Sequence, residues 1–297
     1  MASPALETVK ERIRAVFGNW NENTSVEQMR QEWEALFAAR GVSASSEPIQ
    51  AAGVDAQWVT APGARPDQVL LYFHGGGYAL GSVKSHWELI ARLSAATGCR
   101  ALGLDYRLSP ENPFPAPVED ACAAYRWLLG QGIEPGQIAL AGDSAGGGLT
   151  AATLVSLRDG GTPLPGAAAM LSPWVDLEAT GESYDTRAEV DPMVQRPLVL
   201  GMAQTYLGGR GSPRDPLAAP LYADLAGLPP LLIHVGDHET LLDDSTRLAE
   251  RARAAGVDVT LQIWEEMVHV FQLFAADLPE GRQSIDAIGF FLRKHLG

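Results

Sequence analysis

Two short runs in this chain combine residue types and spacing suited to acyl transfer. Gly142-Asp143-Ser144-Ala145-Gly146 follows the apolar run QIALA and precedes an Ala/Leu-rich helical stretch. A G-x-S-x-G serine therefore falls at a strand–turn–helix junction. A turn that tight needs small residues beside the serine. It would hold Oγ above a sheet edge, at the positive end of the helix that follows. The plainer alternative is a glycine-rich turn whose serine only caps the helix. His74-Gly75-Gly76-Gly77 ends the run QVLLYF. Three glycines let backbone N–H groups face a substrate oxygen, and acyl transfer needs donors where negative charge develops. Gly76 and Gly77 are therefore assigned to an oxyanion hole, with the N–H of Ala145 as third donor. His74 is expected to order that loop rather than act as a base. A phosphate-cradling loop is the rival, but GGGYALGSV lacks both GKS/GKT and GxGxxG.

The surrounding elements must bring these two runs together. From residue 48 onward, short β-rich runs alternate with helical ones: QVLLYFHGG then SHWELIARLSAATG, CRALGLDYRL then PVEDACAAYRWLLGQG, QIALAGDS then AGGGLTAATLVSLRDG. GAAAMLSPW, PPLLIHVGD, a helix over 243–255, VTLQIWEEM and a last helix reaching His295 complete the series. Such alternation predicts a mostly parallel sheet with helices on both faces. Continuous apolar strands such as VLLYF fit a sheet buried on both sides.

The first 45 residues or so read as two helices. Val9, Ile13, Val16 and Phe17 share one face of the first. The second, SVEQMRQEWEALFAARG, starts at a Ser25 cap and ends at Gly41, with Met29, Trp33, Leu36 and Phe37 as its stripe. Packing on a core is the plainer account of both helices; two helices ahead of the first strand of an α/β protein could also form a lid. Residues 176–228 interrupt the alternation and hold one helix within DPMVQRPLVLGMAQTYLGG. The expected organisation is an N-terminal part of a helical cap over 1–45 and a catalytic domain over 46–297. A cap insertion is expected at about 180–210.

Composition narrows the function classes. The chain has 297 residues and a formal net charge of −14, with 46% hydrophobic and 20% charged residues. These are globular values, and the length allows a sizeable core without staples. No stretch approaches the roughly 18 apolar residues of a membrane span. An acidic chain without a Lys/Arg run is a poor match for nucleic acid or anionic membranes. Two cysteines, Cys99 and Cys122, make neither a disulfide framework nor a metal-ligand cluster. MASPALETVKERIRAVF lacks the apolar core of a secretory signal, so a cytoplasmic location is expected.

HGGG and GDSAGG together resemble the hormone-sensitive-lipase-like carboxylesterases (bacterial family IV) of the α/β-hydrolase fold. The likeness extends along about residues 70 to 270. Asp105-Tyr106-Arg107-Leu108-Ser109-Pro110-Glu111 is similar to that family's DYRLAPE, with Ser109 where Ala is usual. Phe114-Pro115-Ala116 through Asp120, Ser172-Pro173-Trp174-Val175-Asp176-Leu177 and Asp191-Pro192-Met193 match further blocks. The resemblance implies an α/β-hydrolase fold, in which a mostly parallel central sheet is flanked by helices and covered by a helical cap.

The resemblance also implies a base and an acid in the order Ser…Asp/Glu…His. Of six histidines, His74 and His86 precede the serine, His234 lies inside LLIHV, and His295 is on the terminal helix. His238 belongs to the acid loop. His269 follows VTLQIWEEM, where this fold delivers its base. For the acid, the family pattern D-x-L-x-D-D/E aligned on Asp243-Asp244 puts Glu239 on the first position. Asp237 stays as the alternative acid, and Asp243 and Asp244 are expected to cap the next helix.

Several residues read more plainly. Asp143 is expected to bond the HGGG or YRL segment, Arg107 and Glu111 to pair beneath the oxyanion loop, and Cys122 to pack in the core. Asp191 and Met193 fit either the cap side of an acyl pocket or ordinary packing. The resulting reading is a serine esterase for a small-molecule ester of short to medium acyl length, without metal or organic cofactor. Ser144, Glu239 and His269 form its triad. A lactone hydrolase with the same triad is one alternative. A non-catalytic small-molecule receptor on this fold is the other, although such receptors lose the base. The oligomeric state is open, a homodimer included.

Overall fold

A computed structural model describes residues 3–21, 23–38, 41–209 and 211–297. The chain begins with α1 (Pro4–Phe17), whose N-cap Ser3 accepts the Leu6 N–H and whose Leu6, Val9 and Ile13 are buried. The next helix, α2 (Val26–Leu36), is capped by Ser25, which accepts the Gln28 N–H. It stops at Leu36, short of the expected Gly41. The reason is tertiary: Phe37 leaves helical geometry and its ring packs on Phe274 and His86.

An antiparallel hairpin, β1 (Ser45–Ala51) and β2 (Val54–Thr60), follows. The alternating part then runs β3 (Arg65–Phe73), α3 (Val83–Thr97), β4 (Cys99–Leu104), α4 (Ala116–Gly130), β5 (Ile138–Asp143), α5 (Ala145–Asp159) and β6 (Ala167–Leu171). Residues 172–230 carry α6 (Ser183–Thr186) and α7 (Arg196–Leu207). The chain ends with β7 (Leu231–Gly236), α8 (Leu242–Ala254), β8 (Val259–Trp264) and α9 (Pro279–His295).

The strands form one eight-stranded sheet in the order β1-β2-β4-β3-β5-β6-β7-β8. Only β1–β2 and β2–β4 are antiparallel; from β4 to β8 every pairing is parallel. Successive side chains of a strand point to opposite faces. In β3, Val69, Leu71 and Phe73 join the core on one side, while Leu70 and Tyr72 join the core on the other. The first core takes α4, α5 and α8; the second takes α3 and α9. Two buried faces explain the unbroken VLLYF run.

The order of strands positions the site. From central β3 the chain crosses to β4 on one side and later returns to β5 on the other. Ligands bind outside the carboxyl ends of strands at such a switch point. Phe73 pairs with Gly142 there, so the HGGG run and the GDSAG turn emerge side by side.

Candidate active site

Ser144 sits between β5 and α5 with φ 53 and ψ −119. Positive φ in a residue bearing a Cβ is strained and needs support from its surroundings. Here the Ser144 N–H donates to the Leu171 carbonyl at 2.9 Å, and its carbonyl accepts the Trp174 N–H at 2.9 Å. Ala145 is the first residue of α5, so its N–H has no carbonyl one turn back.

On the neighbouring loop, Gly76 has φ +115, and a Cβ there would collide with the Leu80 carbonyl. Among the described residues the N–H groups of Gly76 and Gly77 have no acceptor within the fold. Tyr106 stacks on His74 at 4.3 Å and donates its hydroxyl to the His74 carbonyl at 2.7 Å. His74 Nδ1 lies 2.8 Å from the Gly75 carbonyl. Burial, reinforced by His86, lowers the His74 pKa to about 3, so this ring is neutral and orders the loop.

Glu239 and His269 come from the turns after β7 and β8. The Glu239 side chain has no exposure, and its Oε2 lies 2.7 Å from His269 Nδ1. Its Oε1 accepts the Ser172 hydroxyl at 2.7 Å and the Gly236 N–H at 2.6 Å. Ser172 also accepts the Val270 N–H, so one hydroxyl braces both Glu239 and the loop carrying His269. Burial disfavours charge on His269, but Glu239 outweighs it and the pKa is raised. Asp237, the alternative acid, faces elsewhere: its carboxylate accepts the Glu266 N–H at 2.6 Å.

The other expectations divide. Asp143 does bond the HGGG segment, accepting the Gly75 N–H at 3.0 Å, and Cys122 is buried in the core. Arg107 and Glu111 do not pair. Arg107 turns into α4 and holds Asp120 at 2.7 Å, while Glu111 meets Arg30 of α2 at 2.8 Å. Arg30 also donates to the Ala79 and Ser109 carbonyls, fastening α2 to the segment after HGGG. Asp243 and Asp244 lie inside the first turn of α8 rather than before it. Asp243 accepts the Ser183 N–H, and Asp244 accepts those of Val175 and Asp176. They fix incoming loops instead of capping their own helix.

Asp191 also bridges segments. One oxygen accepts the Met193 and Val194 N–H groups and the other accepts the Thr240 N–H at 2.8 Å, beside Glu239. Burial raises its pKa to about 6.

Ser144, His269, Gly76 and Gly77 line one cavity of about 30 Å³. Its apolar walls come from Phe17 and Trp33 on one side and Val199 and Met202 of α7 on the other. The Met202 sulfur lies against Gly77, where a Cβ would collide with it. A space this small holds about two waters. Phe17, Met193 and Leu198 also border an outer groove of about 640 Å³, shared with Trp20 and Met29. Trp33 and Met202 reach the inner cavity. Trp20 lies in the outer groove, whereas Phe37 and Leu207 border other surface hollows. The sequence reading gave Ser172 and His86 no part in the site. Ser172 stood in a quoted motif, but only the fold shows which carboxylate it braces.

Comparison with known proteins agrees with this geometry. A family model described as the alpha/beta hydrolase fold matches residues 70–273. An acetyl-hydrolase of Streptomyces hygroscopicus is 47% identical, covering 100% of this chain and 99% of its own. Among solved structures, an esterase from the bacterial hormone-sensitive lipase family superposes with a TM-score of 0.97 at 52% identity, covering 100% of both chains. An esterase/lipase from an uncultured bacterium gives a TM-score of 0.94 at 45% identity, covering 99% of both. Among the described residues, no helix is long and apolar enough to cross a membrane.

Proposed function

The chain belongs to the bacterial hormone-sensitive-lipase family of α/β-hydrolase-fold esterases, and from that premise we propose that it hydrolyses carboxylic esters through an acyl-enzyme on Ser144. It is a serine carboxylesterase. His269 takes the Ser144 proton as Oγ attacks the ester carbonyl, and Glu239 holds the imidazole tautomer and its charged form. Gly76, Gly77 and Ala145 donate N–H groups to the oxyanion. His269 then protonates the leaving alkoxide, and water repeats the sequence to release the acid.

The observation that carries this reading is the 2.7 Å Glu239–His269 pair beside a cavity shared by Ser144, Gly76 and Gly77. The same pair supports an active enzyme over a receptor, because a receptor has no use for an oriented base.

In this reading α1, α2 and residues 180–210 are the cap, and the rest is the catalytic domain. A tight inner cavity opening on an apolar groove suits a small uncharged ester with one short arm. The buried free cysteines fit action in a reducing cytoplasm, and the −14 charge argues against nucleic-acid partners. The test is turnover of p-nitrophenyl acetate together with labelling by a fluorophosphonate. Ser144→Ala should lower kcat by about 10⁵ to 10⁶ and abolish labelling. Label on another serine, or near-normal turnover in the variant, overturns the assignment.

A further inference from the structure

His86 lies beneath the reacting groups and takes no part in the chemistry above. It is fully buried on α3. Nδ1 is 3.2 Å from the Ser82 carbonyl oxygen and 3.1 Å from Ser85 Oγ. Nε2 is 3.2 Å from Asp143 Oδ2. Carbonyl and carboxylate oxygens only accept. The Ser85 hydroxyl lies 3.0 Å from the Ser82 carbonyl, and donating there leaves its Oγ as an acceptor toward the ring. Doubly protonated, the ring would donate to the Ser82 carbonyl through Nδ1 and to Asp143 through Nε2. The Gly75 N–H passes 3.3 Å from Nε2 but makes its shorter bond, 3.0 Å, to Asp143 Oδ1.

The charged groups around the ring fit this state. Asp143 is the direct partner, and its Oδ1 also accepts the Tyr72 hydroxyl at 2.6 Å. Glu34 of α2, bonded to Ser82, and Asp105 after β4, bonded to the Val83 N–H, add negative charge nearby. The other cationic candidate, His74, stays neutral at a ring distance of 5.5 Å. The cap closes over the same ring: Trp33 stacks on His86 at 6.2 Å and Phe37 lies at 6.4 Å. Trp33 also lines the catalytic cavity.

We propose that His86 is a positioning residue for the oxyanion loop. Its imidazolium orients Asp143, Asp143 holds the Gly75 N–H, and Gly75 sets the direction of the N–H groups of Gly76 and Gly77. Asp143 is also the residue before Ser144, so one buried ion pair aligns nucleophile and oxyanion donors. The inference rests on Gly76 and Gly77 being those donors.

Burial disfavours the imidazolium, but Asp143 outweighs it, so the His86 pKa is raised. The imidazolium is thus held to higher pH than an ordinary imidazole would hold its proton. The loop loosens as pH rises through that ionisation. On the Asp143 side burial is outweighed by His86 and the pKa is lowered, so acid disrupts the pair only when strong.

The experiment compares the full-length protein with His86→Gln and His86→Leu. Nitrogen-15 NMR of the wild-type imidazoles should show both His86 nitrogens protonated at pH 7. His86→Gln keeps one donor for Asp143 without the charge, and His86→Leu keeps neither. With p-nitrophenyl acetate, His86→Gln should lower kcat by about 10- to 100-fold, below the 10²–10³ of losing a donor outright, with KM within about threefold. His86→Leu should be worse. The alkaline fall in kcat should vanish in His86→Gln while the acid limb of His269 stays in place. A neutral His86 at pH 7, or wild-type kcat and an unmoved alkaline limb in His86→Gln, overturns the proposal. The NMR result decides even where a variant does not fold. Activity of the wild type and its loss in Ser144→Ala report separately on the esterase reading.

Discussion

Glu239 Oε2 lies 2.7 Å from His269 Nδ1 although the two residues are 30 apart in the chain. Parallel pairing of β7 with β8 brings this about, because Gly236 is in register with Trp264 and both loops leave the sheet at the same end. The Ser172 hydroxyl and the Gly236 N–H hold the other carboxylate oxygen, so Glu239 has a single orientation toward His269.

This geometry separates the two candidate acids. Glu239→Gln should lower kcat by up to about 10⁴ through loss of charge and tautomer control. Asp237→Asn should change kcat by less than about fivefold, because Asp237 serves the Glu266 backbone. Steady-state kinetics of both variants, with thermal melts as a folding check, measure the difference. Reversed costs would mean that the acid is Asp237.

The pH profile follows from the same pair. A base works only when unprotonated, and the His269 pKa is raised above 6.5, burial opposing and Glu239 prevailing. The acid limb of kcat/KM should therefore lie above the ordinary imidazole value, giving a neutral to alkaline optimum. Glu239→Gln should move that limb downward in its residual activity. A limb that stays in place would separate the observed ionisation from His269.

Acyl selection should depend on Met202. The inner cavity is about 30 Å³ with the Met202 sulfur against Gly77. Each added methylene helps by about 0.8 kcal/mol only while there is room for it. We expect kcat/KM on p-nitrophenyl esters to peak somewhere between about two and eight acyl carbons, without activation by emulsified substrate; the small cavity favours the short end. Met202→Ala should shift the peak by roughly two carbons or more toward longer chains. An unchanged profile would place the acyl arm in the outer groove instead.

A stability prediction concerns Asp244. Burial raises its pKa from 3.8 to about 7. The folded protein thus binds a proton here that the unfolded chain releases. Stability tied to this group is present below about pH 4 and is lost as pH rises toward 7. Asp244→Asn keeps an acceptor for the Val175 and Asp176 N–H groups and removes the ionisation. Urea unfolding at pH 5 and 8 should show a smaller loss on going alkaline in the variant, and equal losses would exclude Asp244 as the source.

Much of the fold was legible because its signals are local. The alternation read from residue 48 onward announced a parallel sheet, although it begins only at β3, and Ser25 announced the start of α2. The β1–β2 hairpin was less visible, since β1 is mostly exposed and carries little apolar alternation. The end of α2 was misplaced because Phe37 is drawn out of the helix by the core beneath it. Ion pairs were the least legible. Arg107 and Glu111 are near in sequence, yet each found its partner on a different element, Asp120 and Arg30.

By itself the sequence determined the residue types a serine hydrolase needs, their order, and the tight glycine-bearing turns around Ser144 and Gly76. Those depend on short-range backbone geometry that a few residues specify. Only the tertiary structure decided which carboxylate meets His269, what holds Glu239 in place, and that His86 meets Asp143 next to Ser144. Each of these depends on contacts between segments distant in the chain, formed when parallel strands bring their carboxyl ends to one edge of the sheet. Burial at that edge makes every partner matter, because a charge or donor taken from water must be matched by a group the fold supplies.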